Sequence, residues 1–159
     1  MKVDFLSSGE EDTLSIARAL GGILKPGDVV ALTGELGAGK TLFCKGVGDA
    51  LGISPSRIVS PSFTMVTDYP GLLPLCHVDV YRLSSEEEAL DIGLDEIFSE
   101  ERIFLVEWAE KISSLLPNNC IRVTFSISGE ERRRISVAAK DDARFADFVS
   151  RTAPLIPGE

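Results

Sequence analysis

Apolar and polar positions change their spacing several times along this chain, and each change marks an element. Val29 to Leu32 is apolar without alternation, as in a strand buried on both faces of a parallel sheet. Arg102 to Glu107, RIFLVE, repeats that character and ends in an acid. Helical spacing appears at Ile16, Leu20, Ile23 and Leu24. It appears again at Phe43, Val47, Ala50 and Leu51, which fall at i, i+4, i+7 and i+8. Strict alternation appears at Ile121, Val123, Phe125 and Ile127, and after a Gly129-Glu130-Glu131 turn at Ile135, Val137 and Ala139. That pattern predicts a half-exposed antiparallel hairpin.

The remaining segments fill in around these. Lys2 to Leu6 predicts a short edge strand, and Ser7 or Ser8 a helix cap with acids following in the first turn. Ile58 to Tyr69 is broken by Pro61 and predicts loop then strand. With Leu75 to Leu83, across the Pro70-Gly71 turn, it makes a second hairpin. Serines ahead of glutamates predict a helix start over Ser84 to Glu88. Helical turns are expected at Leu94 to Phe98 and at Ala109 to Leu116, and a final helix through Phe145, Phe148 and Val149. The tail, TAPLIPGE, is expected to fray. Together these predict an α/β fold: a mixed sheet with parallel core strands, antiparallel hairpins and flanking helices, in a single domain spanning residues 1–159.

Composition narrows the class. With 159 residues and 44% apolar content, the chain buries enough surface for a core without staples. No run of eighteen apolar residues predicts a membrane span, and the N-terminus, MKVDFLSSGEED, does not read as a signal peptide. Cys44, Cys76 and Cys120 have no paired spacing and read as reduced, packed thiols of a cytoplasmic protein. A net charge of −9 argues against broad independent binding to nucleic acid.

The chemistry starts directly after VVALT. GELGAGKT, Gly34 to Thr41, fits G-x-x-x-x-G-K-[ST], the phosphate-binding loop. Gly34, Gly37 and Gly39 permit backbone angles other residues resist and let amides approach an anion. A buried strand before the loop and a helix after it place phosphate at a helix N-terminus. The fold is therefore expected to be P-loop NTPase-like. A nucleotide's phosphates and magnesium are the expected ligands, touching the loop from Gly34 through Gly37, Ala38, Gly39, Lys40 and Thr41 to Leu42. Lys40 is placed to reach the terminal phosphates and the Thr41 hydroxyl to ligate magnesium.

Such a loop needs a carboxylate near the metal, at the end of a neighbouring strand. Glu107 ends IFLV and Asp79 lies within LCHVDVYRL. Each is a candidate, and each is also readable as a strand-end cap or salt-bridge partner. His77, the only histidine, shares a strand face with Asp79 and reads equally well as a hydrogen-bonded structural residue. For Trp108, packing, nucleotide contact and partner contact all remain open.

Four blocks, GELGAGKT, SPSFTMV, HVDVYRL and VEWAEK, in this order and at these separations, resemble the TsaE (YjeE) family. The resemblance runs roughly from Ser8 to Ala139. Its members are bacterial ATPases required for the threonylcarbamoyl modification of adenosine 37 in tRNA, with TsaB and TsaD as partners. By resemblance Thr41 and Glu107 ligate magnesium, Asp79 is an active-site acid, and Lys40 serves catalysis. Trp108 lies at the nucleotide site or partner surface, and the segment around Ser8 and Thr13 near the adenine. One arginine of Arg132, Arg133 and Arg134 reaches the nucleotide, with Arg133 the candidate. Two positions depart from the family pattern: Ser62 replaces the usual threonine of SPTF, and Leu42 stands where a second hydroxyl often follows the loop. Contact with tRNA is expected only through the partners, and no membrane is involved.

Three other readings compete. A small-molecule kinase on the same fold would need a lid with clustered arginines and an acceptor site, and here the cluster lies on a hairpin. A guanine-nucleotide switch would need Asn-Lys-x-Asp, which is absent from the sequence. A binding module with a silent loop is disfavoured by the intact Lys40, Thr41 and Glu107. The expected role is that of an ATP-driven helper rather than the tRNA-modifying catalyst.

Overall fold

The unbroken apolar runs lie at the centre of a sheet. The computed structural model describes residues 1–99, 101–140 and 142–158. Its strands are β1 (Lys2–Ser7), β2 (Val29–Thr33), β3 (Val66–Tyr69), β4 (Leu75–Asp79), β5 (Ile103–Glu107), β6 (Ile121–Ile127) and β7 (Arg133–Ala138). They form one sheet in the order β1-β7-β6-β2-β5-β4-β3. β2 runs parallel to β5 and β6, and β4 runs parallel to β5. The margins are antiparallel: β7 between β6 and β1, and β3 beside β4. This is the mixed sheet with a parallel core that the sequence predicts.

Helices cover both faces, so the central strands must be apolar on both sides. On one face Val30, Leu32 and Leu105 pack with residues of α1 (Glu10–Gly21), α2 (Lys40–Ala50) and α4 (Ala143–Thr152). On the other, Val29, Ala31, Val78 and Val106 meet α3 (Glu86–Asp91) and the helical turns of Ala109–Leu115. β6 lies outside this double cover. Its Ile121, Val123 and Phe125 are buried, while Arg122, Thr124 and Ser126 between them are exposed.

Close helix packing fixes α2, and with it the loop at its start. A Cβ on Gly46 would lie 2.5 Å from the Cβ of Ala17 and 3.1 Å from the Leu14 carbonyl oxygen. The buried side of α2 is therefore Phe43, Cys44, Gly46 and Val47. Ala50 also faces α1, its Cβ 2.7 Å from where a Cβ on Gly21 would stand, but at the helix end it is exposed, and Leu51 is half-buried against the main core.

Other boundaries also differ from expectation. Neither Ser7 nor Ser8 caps α1; its N-cap is Gly9. The Ser7 hydroxyl bonds instead with the Thr13 hydroxyl at 2.7 Å. The amide of Ser8 donates to Asp12 Oδ2 at 2.8 Å, so an acid inside the helix holds the entering chain. β4 stops at Asp79 rather than Leu83, because the Asp79 carboxylate accepts the Tyr81 amide at 2.9 Å and turns the chain. The tail does not fray at its start: Leu155 and Ile156 pack against the main core. Cys44, Cys76 and Cys120 are free and buried. Burial pushes the Cys44 thiol well above its ordinary pKa and the Cys76 thiol up to about 12. Among the described residues no helix is long and apolar enough to cross a membrane.

Gly46→Val should force α1 and α2 apart and lower stability by about 1–3 kcal/mol. Urea denaturation reads the effect directly. An unchanged midpoint would mean the interface gives way without cost.

Candidate active site

Three parallel strands end side by side. Leu32 of β2 is in register with Glu107 of β5, and Glu107 with Asp79 of β4. Partners in register point to the same face of the sheet. Both carboxylates are therefore aimed at the layer holding α2, and both are nearly inaccessible, at 3% exposure for Asp79 and 2% for Glu107. Buried carboxylates need partners, and each has them.

Glu107 is matched on both oxygens. The Thr41 hydroxyl donates to Oε1 at 2.7 Å, and His77 Nε2 lies 2.6 Å from Oε2. Asp79 accepts from the Ser60 hydroxyl on Oδ2 and from the Tyr81 amide on Oδ1. The loop carrying Ser60 is tied to Asp79 a second time. Met65, at φ 62°, accepts the Asp79 amide on its carbonyl at 2.8 Å.

Between β2 and α2 runs the glycine loop. Gly37 and Gly39 take φ of 80° and 108°, conformations that disfavour any side chain. Gly39 is the N-cap of α2, and no side chain bonds that end of the helix. Lys40 opens the helix and folds back over the loop, donating to the carbonyls of Gly34 and Glu35, the latter at 2.9 Å. Its ammonium also lies 4.0 Å from the centroid of the Trp108 ring. Burial lowers the Lys40 pKa, while the charge of Glu107 leads those that oppose the shift. Trp108 takes a left-handed backbone, φ 61°, costing about 1–3 kcal/mol. That turn sets its indole over Lys40 and beside Tyr81, the two rings 4.9 Å apart.

A cleft of about 840 Å³ opens over these groups. The loop from Gly37 to Leu42 forms its floor, with Asp79 and Glu107 behind. Trp108 and Tyr81 line one part of the wall, Gly9 and Thr13 another. Arg133 closes the rim: its Nη2 donates to the Gly37 carbonyl at 3.2 Å, and Nη1 is spent on carbonyls of its own hairpin, including Gly129 at 3.1 Å. Of the three adjacent arginines, Arg133 is the one the structure brings to the cleft. Arg132 lines a separate shallow hollow, and Arg134 stands exposed on β7.

Two expected residues are placed elsewhere. Ser8 lines the shallow hollow with Arg132 rather than the cleft. Gly34 lies beneath the loop, where a Cβ would meet the Phe125 carbonyl oxygen at 2.9 Å; its own carbonyl anchors Lys40. Ser60, Ser62, Tyr81, Glu130 and Glu131 also line the cleft. Ser60 and Ser62 belong to the SPSFTMV block and Tyr81 to HVDVYRL, whereas the approach of Glu130 and Glu131 comes from hairpin packing that no local spacing signals.

Chemically the cleft combines a helix N-terminus, one ammonium, a hydroxyl–carboxylate pair and a second carboxylate. Hard oxygen ligands such as Thr41 Oγ1 and Glu107 Oε1 suit magnesium. The ammonium and the helix end suit phosphate.

Comparison with known proteins bears on this site. The family model "Threonylcarbamoyl adenosine biosynthesis protein TsaE" matches residues 7–135. The tRNA threonylcarbamoyladenosine biosynthesis protein TsaE of Bacillus subtilis is 46% identical over 131 residues, covering 81% of this chain and 80% of that protein. The protein of the same description from Treponema pallidum is 39% identical over 133 residues, covering 84% and 98%. Among solved structures, a crystal structure of Bacillus subtilis YdiB superposes with a TM-score of 0.77 at 36% identity, covering 97% of this chain and 95% of that one.

Thr41→Val keeps the shape of the side chain and removes the donor to Glu107 Oε1. The free protein should lose about 1–3 kcal/mol, the cost of leaving a buried acceptor unmatched. Urea denaturation in EDTA measures it. A wild-type midpoint would show that water replaces the hydroxyl without loss.

Proposed function

The chain belongs to the TsaE family, whose role lies in tRNA threonylcarbamoyladenosine biosynthesis, and from that premise we propose that it is the ATP-binding and ATP-hydrolysing accessory component of this modification at adenosine 37, working with TsaB and TsaD. One observation carries the reading. Lys40, Thr41, Asp79 and Glu107, drawn from three separate segments, converge at a helix N-terminus in one cleft.

The residues fit magnesium–ATP. Thr41 and Glu107 would hold the metal, which supplies charge neutralisation across the phosphates. The amides of the glycine loop bind and orient the phosphate chain. Lys40 exchanges its two carbonyl bonds in the loop for phosphate oxygens. Asp79, held by Ser60 and the Tyr81 amide, orients the attacking water. Arg133 adds positive charge at the rim. Thr13 and Gly9 stand on the wall that would receive the base, with Trp108 and Tyr81 excluding water beside Lys40.

The charge of −9 makes contact with tRNA depend on the partners. A helper of this kind must present different surfaces in different nucleotide states, because a ligand shifts an equilibrium only through differential affinity. The loop of Ser60 and Ser62 reaches the cleft and is tied to Asp79, so it is the segment suited to report that state.

Hydrolysis of ATP against GTP, by the protein alone and with TsaB and TsaD, tests the reading. ATP turnover should be slow alone and change when the partners are added. Lys40→Ala should abolish it; a variant hydrolysing ATP as the wild type does would sink the assignment.

The two acids should separate. Glu107→Ala should weaken the magnesium dependence of ATP binding, and Asp79→Ala should slow hydrolysis more than it weakens binding. Magnesium titrations of binding beside single-turnover rates distinguish them, and the opposite pattern would exchange the roles of the two acids. Partner affinity should also differ between an ATP analogue, ADP and no nucleotide. Equal affinity in all three states, with tRNA modified equally well without this protein, would refute the helper role.

A further inference from the structure

The histidine behind Glu107 has no part in the chemistry above, yet its surroundings are specific. His77 is the chain's only histidine, and its side chain is fully buried. It lies on β4 two residues before Asp79, on the same face. Nε2 is 2.6 Å from Glu107 Oε2. Nδ1 has no hydrogen-bond partner, and it is the one buried side-chain nitrogen or oxygen in that state among the described residues. Cys44 of α2 closes the ring in: the thiol, the imidazole and the Glu107 carboxylate present atoms within 4.8 Å of one another.

These contacts decide where the hydrogen sits. A carboxylate that serves as a magnesium ligand is ionised and only accepts, so on that reading the nitrogen facing Glu107 is the donor. A hydrogen on Nδ1 would be a buried N–H with no acceptor, which folded proteins avoid more strictly than an unmatched lone pair. A polar ring at full burial costs free energy unless one of its atoms is used. Here the used atom is Nε2, and its bond leads to one oxygen of one carboxylate.

We propose that His77 is a positioning residue for Glu107: by donating from Nε2 to Oε2 it fixes the rotation of the carboxylate and leaves Oε1 alone facing Thr41 and the cleft. The inference rests on the reading of Thr41 and Glu107 as the magnesium pair and adds what sets the geometry of that pair. With Oε2 committed, Glu107 offers a cation a single oxygen. That suits magnesium, which keeps much of its water shell and binds through few carboxylate oxygens. Calcium takes more oxygens and readily accepts bidentate carboxylates. His77 thereby favours the smaller ion.

Three measurements test this. Protein labelled with 15N-histidine contains a single imidazole, so long-range proton–nitrogen NMR reports its tautomer without assignment. The hydrogen should be on Nε2, with Nδ1 bare; a hydrogen on Nδ1 alone would overturn the proposal. Next, equilibrium binding of a non-hydrolysable ATP analogue is titrated with magnesium and, separately, calcium, using wild type, His77→Leu and His77→Gln. Loss of a partner behind a metal ligand costs about 10–100-fold in metal affinity. His77→Leu should need that much more magnesium, discriminate less against calcium, and bind the analogue unchanged without divalent ions. His77→Gln places an N–H where Nε2 was and should recover most of the loss. Wild-type magnesium dependence in the Leu variant, or no recovery in the Gln variant, would overturn the positioning role. Thermal melting checks that both variants fold; if His77→Leu does not, the Gln variant and the tautomer decide. Failure of wild type to bind the analogue at all would instead refute the ATP reading, while the NMR result would still judge the hydrogen bond.

Discussion

A carboxylate with 2% exposure at the end of a central strand is the constraint around which the cleft is built. Glu107 must have donors for both oxygens, and the fold draws them from opposite directions. Thr41 comes from the helix after β2, and His77 from the neighbouring strand β4. Leaving one oxygen of this buried carboxylate without its donor costs about 1–3 kcal/mol, so neither element can drift without penalty. The same pair of bonds sets which oxygen faces the cleft. Stability and the proposed metal chemistry therefore depend on one side chain.

Packing brings the donors into range. The unbroken apolar runs of β2 and β5 accept helices on both faces, and their register places Leu32, Glu107 and Asp79 in one row. The position of α2 follows from its close contact with α1 at Gly46, which seats the helix start over that row. Two non-glycine residues with a left-handed backbone, Met65 and Trp108, lie directly beside this row. Met65 links its loop to Asp79, and Trp108 covers Lys40. Their backbone strain is held by the surrounding contacts and stands at the site the cleft uses.

Membership of the TsaE family and the geometry of the cleft meet in an arrangement whose polar groups are matched to one another. Lys40 is bonded to loop carbonyls, Thr41 to Glu107, Asp79 to Ser60, and Arg133 to Gly37. In the proposed function the Lys40 and Thr41 bonds are the ones that ligand binding exchanges, while Ser60 keeps its hold on Asp79.

The sequence by itself determined the parallel core, the antiparallel hairpin of β6 and β7, the glycine loop with Lys40 and Thr41, and the two acids at strand ends. These follow from local periods and short spacings, which report burial on one face or two and the conformational freedom of glycine. Its errors fell where a single tertiary contact overrides a local preference. Gly9 rather than a serine caps α1 because the Ser7 hydroxyl is engaged by Thr13, and β4 stops early because Asp79 captures the Tyr81 amide. Only the tertiary structure decided that His77 faces Glu107, that Arg133 among three arginines reaches the loop, that Ser60 holds Asp79, and that Ser8 lies outside the cleft. Those pairs join residues 19 to 96 positions apart, apart from Ser8, which has no such partner. Which members of a distant pair meet depends on strand register and helix seating, and no local pattern of apolar and polar residues encodes either.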